Sequence, residues 1–339
     1  MLLSDNHNSV NGIREYCKNQ NGTFNYVPIQ HEDLCINSPI LEDNLNSFGD
    51  KKHKLFAFPA QSNVSGVQHD LSWIEKAQGK GWDVLLDAAA YVPTSKLDLK
   101  KVHPDFVSVS FYKIFGYPTG IGCLLVRKEK FDILKKRWFA GGTVTYSAVS
   151  SPGHFLAKNH EKFEDGTINY LDIPAVKIGL DFIEKIGMDR INKRVKSLAK
   201  YLYQELNKLN HSNGQPMTRV FGPLECRENV GGTIILNFFN PDGALVPSEI
   251  IESRANKEMI SLRSGCFCNP GIDEVNNCIS SDELAKYFTS RDHGNYEDHI
   301  EFIKKMRGAT RISVGIATIQ EDLDAFIRFV SSNKDQKIG

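Results

Sequence analysis

Two residues in this sequence stand where a buried sheet would meet a ligand. Asp87 ends the apolar run WDVLLD (82–87) and is followed by Ala88, Ala89 and Ala90. Open α/β sheets bind ligands at the carboxyl ends of their strands, and small residues behind a carboxylate let a flat group come close. Alone, Asp87 reads equally well as a helix N-cap. Lys113, in SVSFYKIFGYPTGIG, follows the next apolar run and precedes a Gly/Pro-rich turn. Most lysines are solvated surface charges, but this one is flanked by Phe111, Tyr112, Ile114 and Phe115. Apolar surroundings strip water from an amine and lower its pKa, which suits a Schiff-base nucleophile. As an ordered pair on consecutive strands, Asp87 and Lys113 fit pyridoxal 5′-phosphate (PLP). The carboxylate would hold the pyridine nitrogen and the amine would bind the aldehyde.

Two more residues suit that cofactor. His7, in DNHNSV, would stack its ring on the pyridine face; outside this context a surface or capping histidine is the commoner reading. Asn63, in FPAQSNVSG, would reach the phenolic oxygen of the cofactor, or would simply serve a turn. A third feature is SLRSGCFCNP (261–270), where Cys266 and Cys268 are one residue apart, with Arg263 upstream. The pair reads as a staple or metal clip, as a reactive thiol with a helper, or as core filler. Structural zinc prefers two to four residues between cysteines and needs two further ligands. Cys278, His293 and His299 show no such spacing, so no metal is expected. As a reactive thiol, the loop is expected to be a mobile arm, with Gly265 and Gly271 allowing movement and Arg263 favouring the thiolate.

These residues need a scaffold. KLFAFPA (54–60), WDVLLDAAA (82–90), FVSVSFY (106–112) and GIGCLLVRK (120–128) are short apolar runs bounded by polar turns, the pattern of strands buried on both faces. DLSWIEKAQGKG (70–81) reads as a helix between two of them, which argues for an α/β layered fold with a mostly parallel sheet. A second helix is expected from Val10 to Cys17, capped by Ser4 or Asp5, with no strand before it. Residues 173–209 are periodic as helix, broken near Gly187-Met188-Asp189. GGTIILNFF (231–239), PSEIIESRANK (247–257), MISLRSG (259–265), TRISVGIA (310–317) and a helix near 320–332 make a smaller α+β unit. Residues 272–300 read as an irregular polar excursion. The expected division is a large domain at 1–172, a connecting helix at 173–190, and a small domain at 191–339 that carries the thiols.

Composition sets limits on function. The 339 residues carry 41 Lys plus Arg and 41 Asp plus Glu, so net charge gives no reason to expect nucleic acid or a membrane as partner. MLLSDNHNSV lacks the basic start and apolar core of a signal peptide, and no run approaches the roughly 20 apolar residues of a membrane span. Seven cysteines spread over a long chain fit a reducing, cytoplasmic setting.

The sequence resembles the cysteine desulfurase group of fold-type I, class V aminotransferase-like enzymes, and within it the desulfurase domain of eukaryotic molybdenum cofactor sulfurases. The resemblance rests on DNHNSVNGIREY, FPAQSNVSGVQHDLSWI, DVLLDAAAYVPTSKLDL, SFYKIFGYPTGIGCLLVRK, FAGGTVTYS, FEDGTINYLDIPAVKIGLDFI, SLRSGCFCNPG and TRISVGIAT. It implies that Lys113 binds PLP, Asp87 partners its ring nitrogen, His7 stacks on it, and Asn63 and Ser110 contact it. It further implies that Gly142 and Thr143 reach the phosphate of a neighbouring subunit in a homodimer. Arg311 would pair with the substrate carboxylate, a task suited to a guanidinium. Arg263 would support the thiol loop, and Cys268 would carry a persulfide taken from L-cysteine, with Cys266 a second thiol beside it. The sulfur would go to the molybdenum cofactor. The family's Gly-rich phosphate loop and its cofactor-accepting domain have no counterpart in these residues. The alternative reading is therefore a truncated, non-catalytic homologue acting as a dimerisation or regulatory partner.

Overall fold

The apolar runs become strands, and those at Leu55–Pro59 and Asp83–Asp87 lie largely buried in the sheet. A computed structural model describes residues 1–49, 51–223 and 229–339. Its first sheet contains β1 (Leu2–Leu3), β2 (Tyr26–Val27), β3 (Leu55–Pro59), β4 (Asp83–Asp87), β5 (Phe106–Ser110) and β6 (Gly122–Val126). Their spatial order is β2-β1-β3-β4-β5-β6, and every pairing is parallel except β5 with β6. The strands expected near 54–60, 82–90, 106–112 and 120–128 are all present, as is the helix within 70–81 (Ser72–Gln78). The short hairpin of β7 (Val144–Ala148) and β8 (Gly153–Leu156) follows. A second, antiparallel sheet is built from β9 (Thr218–Val220), β10 (Thr233–Phe239), β11 (Leu245–Val246), β12 (Arg263–Gly265) and β13 (Ala309–Ser313).

Two buried clusters hold these layers. Around the first sheet, Phe56 and Phe58 stack 4.9 Å apart, with Val84, Leu86 and Ile74 beside them. Each such fully buried side chain stabilises by about 1.5–3 kcal/mol relative to exposure. Phe267, Ile272 and Ala309, from the second half of the chain, belong to this same cluster. The segment that carries the thiols is therefore seated on the core of the first sheet. The second cluster joins Leu202 and Leu206 of the helix Met188–Leu206 to Ile234, Leu236, Phe329 and Val330.

Four expectations need correction. Leu2 and Leu3 do form a strand, in the interior of the sheet, pairing with Tyr26, Val27 and Ala57. Two residues are too short to show a period, so the sequence hid it. The single helix expected over Val10–Cys17 is split into Asn8–Asn11 and Ile13–Asn19, and its cap is His7 rather than Ser4 or Asp5. The polar stretch 272–300 is helical, as Pro270–Asn276, Ser281–Thr289 and Tyr296–Ile303, with a capping box at Ser280 and Glu283. Finally, β6 is not buried on both faces: Leu124 and Leu125 are both exposed. The helical stretch from 173 does break where expected, at Gly187, between Ile173–Ile186 and Met188–Leu206. Among the described residues no helix is long and apolar enough to cross a membrane.

Candidate active site

The carboxyl ends of the parallel strands open into a cleft of about 650 Å³. His7, Asn63, Lys113, Arg263, Cys268 and Arg311 all line it, together with Ala89 and Ala90. Residues separated by more than 300 positions thus meet because β3, β4 and β5 end on one side and β12 and β13 face them. Asp87 closes β4, is buried, and accepts hydrogen bonds at Oδ1 from the Ala89 amide and the Ser108 hydroxyl, each at 3.0 Å. Those two donors fix the carboxylate plane.

Lys113 sits in the short helix Tyr112–Phe115 that follows β5, and it is exposed. This corrects the desolvation argument: Phe111, Ile114 and Phe115 turn away, towards Ile183, Ile191 and Val195, and do not surround the amine. His7 is half-buried at the start of the helix Asn8–Asn11. The Ser9 amide donates to His7 Nδ1 at 3.1 Å, which leaves any ring proton on Nε2. Burial first, then the Lys113 cation, lowers the His7 pKa, while Asp87 acts in the opposite direction. The imidazole is thus biased towards its neutral form, within electrostatic reach of both Lys113 and Asp87.

Arg263 and Arg311 stand directly opposite each other in the β12–β13 register. Arg311 donates from Nη1 to the Asn63 carbonyl at 3.0 Å and lies over the Phe267 ring, 5.2 Å from its centroid. Its buried Nε has no hydrogen-bond partner. Burial, then the neighbouring Arg263, pulls its pKa below the ordinary guanidinium value. An orphaned donor on a desolvated cation is the signature of a site that receives an anion.

The thiols part company. Cys268 is exposed in the cleft, whereas Cys266 is half-buried behind Phe267, beside Ile235, Ile272 and Asp273. Cys266 is also close enough to Tyr296 to push its phenol pKa up, behind the larger effects of burial and Asp273. The described cysteines, Cys266 and Cys268 included, are free thiols. The loop is tied to the body of the protein. The Asn8 amide donates to the Cys268 carbonyl at 2.7 Å, and Asn63 Nδ2 donates to the Phe267 carbonyl at 2.9 Å. Gly271 is buried against Ser4, so its lack of a side chain serves close packing, not movement.

Besides the buried Asp87 and the half-buried Cys266, three more expected residues do not line the cleft. Ser110 ends β5 opposite Gly122 and does not line the cleft. Gly142 is exposed, and Thr143 is buried in its own turn, its hydroxyl exchanging hydrogen bonds with the Ala140 backbone. Asn63 lines the cleft, but its amide is committed to Phe267 and Asn269. Sequence reasoning missed Asp5, Asn8 and Asn269, whose bonds hold the thiol turn, and Gln61 and Thr94 in the cleft wall. No spacing rule marks Asp5, Asn8 and Asn269, because their bonds to the thiol turn and to Ser62 span more than 50 residues of chain.

The fold is shared with solved cysteine desulfurases. Over 98% of this chain, the enzyme from Thermococcus onnurineus superposes with a TM-score of 0.76 at 21% identity, covering 71% of that chain. CsdA from Escherichia coli does so with 0.77 at 18% identity, covering 70% of that chain. These neighbours are fold-type I PLP enzymes, so the α/β architecture is of that type. The aminotransferase class-V family model matches residues 2–326, and the chain belongs to that family. Among curated relatives, molybdenum cofactor sulfurase from Homo sapiens is 37% identical over 97% of this chain and 38% of its own length. The one from Bombyx mori is 36% identical over 97% of this chain and 43% of its own length. The chain therefore spans about two fifths of the length of those relatives.

The residues present fit the ring of PLP. A fixed, buried carboxylate, an exposed cleft amine and a neutral imidazole are the donor set that a pyridine aldehyde needs.

Proposed function

We propose that this protein is a PLP-dependent cysteine desulfurase that takes sulfur from L-cysteine as an enzyme persulfide, releases alanine, and serves sulfuration of the molybdenum cofactor. The observation that carries the reading is the convergence of Cys268, Arg311, Lys113 and His7 in one cleft, with Cys266 facing the other way. Residues 1–172 would hold the cofactor, 191–339 would carry the thiol turn, and 173–190 would join them, in a cytoplasmic setting.

Each residue then has a task. Asp87 would hold the pyridine nitrogen, Lys113 the aldehyde, and His7 would stack on the ring; Ser110, at the end of β5 outside the cleft wall, would reach the phosphate only from the margin of the site. The cofactor, when bound, supplies an electron sink next to the substrate Cα. Arg311 grips the substrate carboxylate with two parallel hydrogen bonds, and Arg263 adds a second positive charge. Lys113 Nζ, once the substrate amine has displaced it from the aldehyde, is free in the cleft to take the Cα proton. The Cys268 thiolate attacks the substrate sulfur, forming an S–S bond as the substrate Cβ–S bond breaks. That electron pair stays on the carbon side, where Cβ takes up a proton and Lys113 returns the Cα proton to complete alanine, and the transferred sulfur remains on Cys268.

A homodimer is part of this reading. The stretch from 112 to 182 exposes Tyr117, Leu124, Phe155, Leu171, Ile178 and Phe182, and it contains Gly142 and Thr143. Exposed apolar surface on this scale marks an interaction site. The same observation favours a second reading, a non-catalytic dimerisation or regulatory partner, because Gly142 and Thr143 contribute nothing to the cleft of their own chain.

Peptide mass spectrometry after L-cysteine treatment decides between them. A persulfide on Cys268, lost in Lys113→Ala together with the visible absorption of added PLP, supports the desulfurase. A persulfide on Cys266 alone overturns the thiol assignment, and no PLP absorption in the unaltered protein overturns the enzyme reading.

A further inference from the structure

The turn that presents Cys268 is strained. Phe267 and Cys268 both adopt left-handed backbone, with φ of 57° and 55°. For residues with a Cβ this conformation costs roughly 1–2 kcal/mol each, and it persists only where the surroundings over-determine it. Here the surroundings are a buried polar network centred on Asp5. Its carboxylate accepts from Asn269 Nδ2 and from Ser62 Oγ, each at 2.7 Å, and lies 2.9 Å from His69 Nε2. Asp5, Ser62, His69 and Asn269 are all at most 5% exposed. Asn269 also donates to the Asp5 carbonyl and to Asn63 Oδ1, and Asn63 in turn donates to the Phe267 carbonyl. Such a network, fully satisfied in low dielectric, rigidifies what it holds.

The same Asn63 accepts from Arg311 through its backbone carbonyl. The thiol and the guanidinium are thus referred to one framework. Holding a nucleophile at a fixed offset from a substrate anchor is what an efficient transfer needs, and a misplacement of 1 Å can cost on the order of a hundredfold in rate.

We propose that Asn269, clamped on Asp5, is a positioning residue that fixes the Cys268 thiol relative to Arg311 for attack on the substrate sulfur. This rests on the desulfurase reading. Asn269 never touches substrate; it acts through the turn.

The test is Asn269→Ser in the full chain with PLP. Serine keeps the oxygen that caps the helix Pro270–Asn276, where Asn269 Oδ1 accepts from the Ile272 amide, but it loses the donor to Asp5. Two readouts are taken. Alanine release from L-cysteine should fall at least about tenfold in kcat with KM within about twofold. Without substrate, amide exchange in peptides covering 4–9 and 263–272 should quicken about tenfold, with exchange elsewhere unchanged. Asn269→Asp, which sets a carboxylate against Asp5, should move both readouts further the same way and serves if the serine variant does not fold. Unchanged exchange, or faster exchange with unchanged kcat, overturns the proposal. An unaltered protein that releases no alanine sinks the desulfurase reading instead, and the exchange data still show whether Asn269 clamps the turn.

Discussion

Gly271→Ala tests whether the thiol-bearing segment is packed or free. A Cβ at Gly271 would lie 2.0 Å from the Ser4 carbonyl oxygen, 2.7 Å from its carbon and 3.2 Å from the Ser4 Cβ. Ordinary contact begins near 3.4 Å, so one partner must retreat by about 1.4 Å. Ser4 cannot retreat easily, because its amide donates to the Val27 carbonyl at 2.9 Å and its hydroxyl accepts from the Ile29 amide. The helix Pro270–Asn276 must move instead, lifting the fully buried Ile272 from the first core and pulling Asn269 away from Asp5. Overpacking of this kind costs about 1–3 kcal/mol, and the partial unseating of Ile272 adds to it. Alanine returns up to about 1 kcal/mol of helix propensity, less at a helix start. The net expectation is a loss of about 1–3 kcal/mol in urea unfolding followed by far-ultraviolet circular dichroism. Gly12→Ala is the control: its backbone is already helical, with φ −59°, and its Cβ would meet nothing closer than 3.9 Å. If Gly271→Ala unfolds at the same urea concentration as Gly12→Ala, the packed-turn argument is wrong.

Two other outcomes follow from the site. Arg311→Lys gives up paired donors to the substrate carboxylate; at about 1.5–3 kcal/mol for a hydrogen bond to a charged group, KM for L-cysteine should rise roughly ten- to a hundredfold, measured by alanine release. A KM within a factor of two would remove Arg311 from the carboxylate role. Burial and Lys113 lower the pKa of His7 in the folded protein. The unfolded chain therefore takes up the proton first, and stability should fall as pH drops through about 6.5. His7→Phe should flatten that part of the pH profile of the urea midpoint, and identical profiles would refute the neutral imidazole.

The sequence by itself marked the candidate site residues and most of the scaffold. Asp87 and Lys113 were legible because buried parallel strands write themselves as apolar runs, and their ends are where ligands bind. The break at Gly187 and the strands β3 to β6 were readable for the same local reasons. Tertiary structure alone decided how those residues are used. That Lys113 is exposed while its aromatic neighbours pack on Ile183 and Val195 depends on two helices some 70 to 80 residues away. That Cys268 faces the cleft and Cys266 the interior depends on two left-handed residues, a conformation no local preference of Phe or Cys announces. The clamp from Asp5 to Asn269 spans 264 residues of chain. A hydrogen bond between such distant groups leaves no period or spacing behind, so a loop that reads as a free arm is tied down at both Asp5 and Asn63.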